Sequence, residues 1–120
     1  MQLNKIKLTK ESSDRLKQLK IRTGLTPNIL TRIGFCLSLA DPTIPNPADY
    51  PEEDREFNRY TLLGEWDVLY VALLKQRIMD DGIGDKLLEE DFFRAHVNRG
   101  VMALSRQVKS IADLANLAST

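Results

Sequence analysis

The chain has 120 residues, 42% of them hydrophobic and 28% charged, which fits one globular domain with a real core. That length excludes a catalytic and a binding domain side by side, and no apolar run approaches the 18 residues of a membrane span. The formal net charge of zero hides a polarity: residues 1–40 carry Lys5, Lys7, Lys10, Arg15, Lys17, Lys20, Arg22 and Arg32 against Glu11 and Asp14, leaving residues 41–120 acidic by the same amount.

Residues 3–8, LNKIKL, alternate well enough for a short strand with Ile6 and Leu8 on one side and Lys5 and Lys7 on the other. Thr9 suits the N-cap of a helix over about Lys10–Thr23, whose Ser12, Leu16, Leu19 and Thr23 form a narrow buried stripe. Gly24 closes that helix, and Thr26-Pro27 opens the next, which runs to Ala40. In this second helix Ile29, Leu30, Ile33, Cys36, Leu37 and Ala40 recur at helical spacing, with Phe35 and Leu39 on other sides. A helix apolar nearly all round needs cover on more than one face, and Gly34 within it permits another backbone to approach closely. Such cover comes from the rest of the core or from a second copy of the chain.

The order of short basic strand, basic helix, glycine and Thr-capped apolar helix is similar to the ribbon–helix–helix DNA-binding module, in which two chains pair their strands. Pro42, Pro45, Pro47 and Pro51 make residues 41–51 an extended connector. Glu52–Glu56 reads as one helical turn, and Phe57–Leu63 as strand or loop. A third helix over about Glu65–Asp80 buries Trp66, Leu69, Leu73 and Gln76 on one stripe, widened by Val68, Ala72 and Ile78. The DDGIGD turn at Asp80–Asp85 separates it from a fourth helix, about Asp85–Asn98, that offers Leu87, Leu88, Phe92 and Val97 to the core. Gly100 interrupts before a short helix from Val101 to about Val108, and Ser110 caps a last one with Asp113 three residues on.

Catalytic machinery is not legible. His96 and Cys36, each single, make no zinc site of ordinary ligand type and spacing. Cys36 reads as a reduced core residue, which makes the cytoplasm the expected compartment, and the N-terminal MQLNKIKLTK is no signal peptide. His96 reads as a structural hydrogen-bonding residue. Glu89, Glu90 and Asp91 read as a solvated acidic face, and DDGIGD has the ligand spacing of neither a calcium loop nor a phosphate loop. The basic third carries more information. Lys10, Lys17 and Lys20 share one side of the first helix, and phosphate binding needs several cations on one face, each displacing a condensed counterion. No aromatic residue interleaves with them, which argues against stacking on single-stranded bases.

Three stretches carry a closer resemblance: GLTPNILTRIGFCLSLADP (24–42), EFNRYTLLGE (56–65) and HVNRGVMAL (96–104). The chain resembles the small DndE family of bacterial DNA phosphorothioation systems over nearly its whole length. The resemblance implies a mainly helical, self-associating accessory protein, with four copies as the expected assembly. It further implies contact with duplex DNA, nicked duplex included, beside a cysteine desulfurase and the other Dnd proteins.

The expected fold is therefore all-α, a mainly helical bundle that allows one short N-terminal strand. One domain spans 1–120, made of a basic part (1–40), the proline-rich connector (41–51) and a helical remainder (52–120). The expected function is a non-catalytic DNA-binding subunit, with a protein-interaction adaptor as the alternative. Candidate DNA contacts are Lys5, Lys7, Lys10, Lys17, Lys20, Arg22, Asn28 and Arg32; candidate subunit contacts are Ile29, Ile33, Gly34 and Leu37. No metal, cofactor, catalytic residue or membrane contact is expected.

Overall fold

The computed structural model describes residues 4–84 and 89–118. In chain order these form β1 (Lys5–Lys7), α1 (Lys10–Thr23), α2 (Pro27–Ala40), β2 (Glu56–Asn58), α3 (Arg59–Leu63), α4 (Asp67–Asp80), α5 (Glu89–Gln107) and α6 (Ile111–Ala118). The fold is mainly helical, with a single short antiparallel ribbon among the described residues.

The helix starts follow the cap residues. Thr9 Oγ1 accepts from the Ser12 amide at 3.0 Å, and Thr26 Oγ1 from the Ile29 amide at 3.4 Å. Between them Gly24 sits at φ +75°, left-handed backbone that ends α1, and its amide donates to the Lys20 carbonyl. The buried side of α1 is Ser12, Ser13, Leu16 and Leu19.

At the centre α2 crosses α5. A Cβ added to Gly34 would stand 2.7 Å from the Gly100 carbonyl carbon, and one on Gly100 would meet the Gly34 carbonyl and, at 2.8 Å, the Phe35 amide. The close approach expected at Gly34 exists, but its partner is Gly100 of the same chain. For the same reason Gly100 does not interrupt a helix: α5 runs unbroken from Glu89 to Gln107 through it. Phe35 stacks on Phe93 with ring centres 5.1 Å apart, and Leu30, Val97, Val101 and Leu104 complete this part of the core.

Several expectations are corrected by the packing. The strand β1 pairs with β2 of its own chain, in register Lys5–Asn58, Ile6–Phe57 and Lys7–Glu56, so it is not the two-chain ribbon of the ribbon–helix–helix module. Glu52–Glu56 is no helical turn; it runs alongside Leu8, whose amide donates to the Arg55 carbonyl at 2.8 Å. The α4 helix turns its expected stripe outward: Trp66, Leu69 and Leu73 are about half exposed and Val68 is 81% exposed, while Leu74, Arg77 and Ile78 face inward. Arg77 takes a core position because its guanidinium donates to the carbonyls of Leu39, Asp41 and Thr43 and to the Asp81 carboxylate, closing the C-terminal end of α2. Leu87, Leu88 and Asp85 lie outside the described residues.

Candidate nucleic-acid interface

The basic residues of the first third fall into three environments. At the ribbon, Lys5 and Lys7 are exposed, and Lys5 Nζ lies 3.7 Å from the Glu56 carboxylate. Along α1, Lys10, Lys17, Lys20 and Arg22 are all exposed; Arg22 bonds Gln18 at 3.5 Å, and Arg15 stands 4.0 Å from Glu11. At α2, Asn28 is half-buried in the first turn, and Arg32 is not a free cation. Its guanidinium donates to the carbonyls of Leu62 and Thr61 and lies against Gly64, closing the end of α3. The structure thus leaves the α1 cations and the ribbon lysines exposed in separate surroundings and gives the Arg32 guanidinium backbone carbonyls to bind.

Sequence periodicity gives no warning of Ile21. It is 84% exposed on the solvent side of α1, between Lys20 and Arg22 in the chain.

The residues expected at a subunit contact divide as well. Gly34 is buried against Gly100, whereas Ile33 and Leu37 are half-buried on their own core. Ile29 is 40% exposed, and Cys36 and Ala40 on the same side of α2 are exposed. Cys36 is therefore not the core residue that the periodicity predicts: the core-facing side of α2 is Leu30, Thr31, Gly34, Phe35 and Ser38. Next to this outer stripe stands α4, joined to α2 by the edge-on contact of Tyr70 with Phe35 at 6.0 Å, and bearing the exposed Leu69 and Leu73. Two neighbouring helices thus show apolar side chains outward.

Nucleophile and base chemistry finds little support. Partial burial pushes the Cys36 thiol above its ordinary pKa, and a hydrogen bond with Tyr70 opposes that only in part; a reactive thiolate needs the reverse. His96 has no exposed surface and its Nδ1 lies 2.8 Å from Ser38 Oγ, which also accepts from Arg99 Nε. Burial first, then the charges of Arg99 and Arg77, drop its pKa to about 3, so the ring is neutral and structural. Among the described residues no group of three His, Cys, Asp or Glu side chains is placed to hold a metal ion. Asp91 is paired with Arg94 at 3.0 Å. An open cleft of about 420 Å³ between the start of α1, the connector and α5 mixes Glu11, Asp49 and Glu53 with Arg99 and Arg106, a lining with no preferred sign of charge. No helix of the described residues is long and apolar enough to cross a membrane.

The family model described as DNA sulphur modification protein DndE matches residues 5–112. Two solved structures are similar in fold. One is DndE from Escherichia coli B7A, involved in DNA phosphorothioation modification: 29% identical, TM-score 0.68, covering 87% of this chain and 99% of that one. The other is a double glycine-to-lysine mutant of DndE involved in DNA phosphorothioation: 27% identical, TM-score 0.65, covering 87% and 98%. No curated protein matches. With nine-tenths of its length matched by the family model, the chain belongs to the DndE family of DNA sulphur modification proteins.

Proposed function

We propose that this chain is a non-catalytic, duplex-binding subunit of a DNA phosphorothioation system, working as a homo-oligomer of four copies beside a cysteine desulfurase and the other Dnd proteins. The observation that carries the reading is the row of exposed lysines along one side of α1, Lys10, Lys17 and Lys20, in a family member with a raised thiol and a neutral buried histidine. Contacts of this type hold the phosphate backbone and carry little sequence information, which suits a protein acting on duplex of many sequences, nicked duplex included. Self-association has its own support in the outward apolar stripes of α2 and α4, since a small protomer with such neighbouring stripes gains by covering them. Repeating a weak basic patch over an assembly raises avidity without new contacts.

A second reading, an adaptor whose acidic 41–91 surface docks a basic enzyme of the same system, draws on the exposed carboxylates of Glu52, Glu53 and Asp54. Binding of labelled duplex followed against salt separates the two. The DNA-binding reading expects log affinity to fall linearly with log salt, at roughly 0.9 per phosphate neutralised. It expects Lys17→Glu/Lys20→Glu to abolish binding, and Leu69→Glu/Leu73→Glu to give a helical protein of lower mass that binds poorly. Unchanged duplex binding by Lys17→Glu/Lys20→Glu at low salt, with co-purification of partner enzymes retained, decides for the adaptor.

A further inference from the structure

The acidic half of the chain is not remote from the basic third. The segment Glu52–Glu56, with four carboxylates and one arginine, is fastened along β1 and the start of α1 by its backbone. The amides of Glu53 and Asp54 donate to the Leu8 carbonyl at 3.4 and 3.0 Å, the Leu8 amide to the Arg55 carbonyl at 2.8 Å, and the Arg55 amide to Ser13 Oγ at 3.2 Å. Glu56 faces Lys7 in register and pairs with Lys5 at 3.7 Å, and Glu52, Glu90 and Asp91 line the same hollow as Lys5, Lys7 and Arg94, with Arg94 paired to Glu52 at 3.5 Å and to Asp91 at 3.0 Å. The ribbon end is thus neutralised from inside the molecule.

The far half of α1 differs. Residues 15–22, RLKQLKIR, hold four cations and no carboxylate. Ser13 is the last α1 residue to which the acidic segment is hydrogen-bonded. At 1.5 Å per residue, Lys17 lies about 6 Å, Lys20 about 10 Å and Arg22 about 14 Å farther along the axis. The Debye length at physiological salt is about 8 Å, so the carboxylates act fully on Lys5 and Lys7 and are largely screened from Lys20 and Arg22.

We infer that duplex DNA is held by the C-terminal half of α1, through Lys17 and Lys20 on one side of the helix, while the backbone-anchored carboxylates of Glu52–Glu56 keep the DNA backbone off the β1 end. This rests on the DNA-binding reading above and narrows it, removing Lys5 and Lys7 from the contact set. The acidic segment then acts as an orienting fence: a phosphodiester chain crossing the α1 surface is attracted at one end and repelled at the other.

The test uses the full chain, a labelled duplex and a salt series, with helical content checked for every variant. All substituted side chains are exposed, so the fold tolerates them. Lys17→Ala/Lys20→Ala is expected to weaken binding roughly tenfold and to lower the salt slope by about two. Lys5→Ala/Lys7→Ala is expected to leave the slope where it was. Glu53→Gln/Asp54→Asn, which removes two exposed fence charges and leaves the anchoring backbone amides in place, is expected to tighten binding about two- to threefold at low salt. A slope reduced as much by Lys5→Ala/Lys7→Ala as by Lys17→Ala/Lys20→Ala overturns the inference and leaves the DNA-binding reading standing. A parent protein with no salt-dependent duplex binding overturns both.

Discussion

His96 shows how one buried side chain ties stability to pH. Its ring is fully enclosed, held by Ser38, with the guanidiniums of Arg99 and Arg77 converging on the same end of α2. Protonation would bury a third positive charge there, which is why its pKa falls from 6.5 to about 3. A depressed folded-state pKa gives stability that is present above the unfolded value near 6.5 and drains as pH falls from there toward 3. Each unit within that window is worth about 1.4 kcal/mol. Urea unfolding at pH 7 and pH 5 is therefore expected to show a loss on the order of 2 kcal/mol for the parent chain. His96→Gln keeps a hydrogen-bonding group toward Ser38 but does not titrate, so it should lose distinctly less between the same two pH values. Equal losses in the two proteins would assign the pH dependence to other groups.

Among the elements, the α2–α5 crossing decides the most. An alanine in place of Gly100 would gain about 1 kcal/mol in helix propensity, but its methyl would run into the backbone of Gly34 and Phe35, which has no rotamer to yield. Overpacking of this kind costs about 1–3 kcal/mol or more. Gly100→Ala is expected to be destabilised by at least about 1 kcal/mol net in denaturant unfolding; a stabilised variant would contradict the close crossing. The same pair explains what the sequence conceals. A glycine in mid-helix reads locally as an interruption, and only the partner glycine on a distant helix, 66 positions away, gives it a packing reason. Helix starts at Thr9 and Thr26 and the stop at Gly24 were legible because caps act through neighbouring residues. The face of α4 was not, because Arg77 sits inside to close α2 and a charged residue is ordinarily assigned to solvent. The partners of Arg32 are hidden for the same reason, being carbonyls of α3 about thirty residues on. The cations of α1 were legible as a set, but the acidic segment laid beside β1 depends on tertiary contacts that no local pattern reveals.

At the scale of the whole molecule, a chain of the DndE family combines a basic helix, outward apolar stripes on α2 and α4, and a single thiol whose pKa partial burial raises. This division of surfaces is what the proposed duplex-binding, self-associating subunit requires. Cys36 is exposed in the protomer, so its truncation to alanine should shift protomer stability by about 0.5 kcal/mol or less. The most direct measurement is the phosphorothioate content of genomic DNA in cells lacking their own copy of the chain and supplied with variants of it. A non-catalytic, duplex-binding role predicts that Cys36→Ala restores sulfur to the level of the parent chain and that Lys17→Glu/Lys20→Glu, folded and assembled, does not. Loss of modification with Cys36→Ala, its fold and assembly intact, would contradict it and make the thiol a carrier of the sulfur.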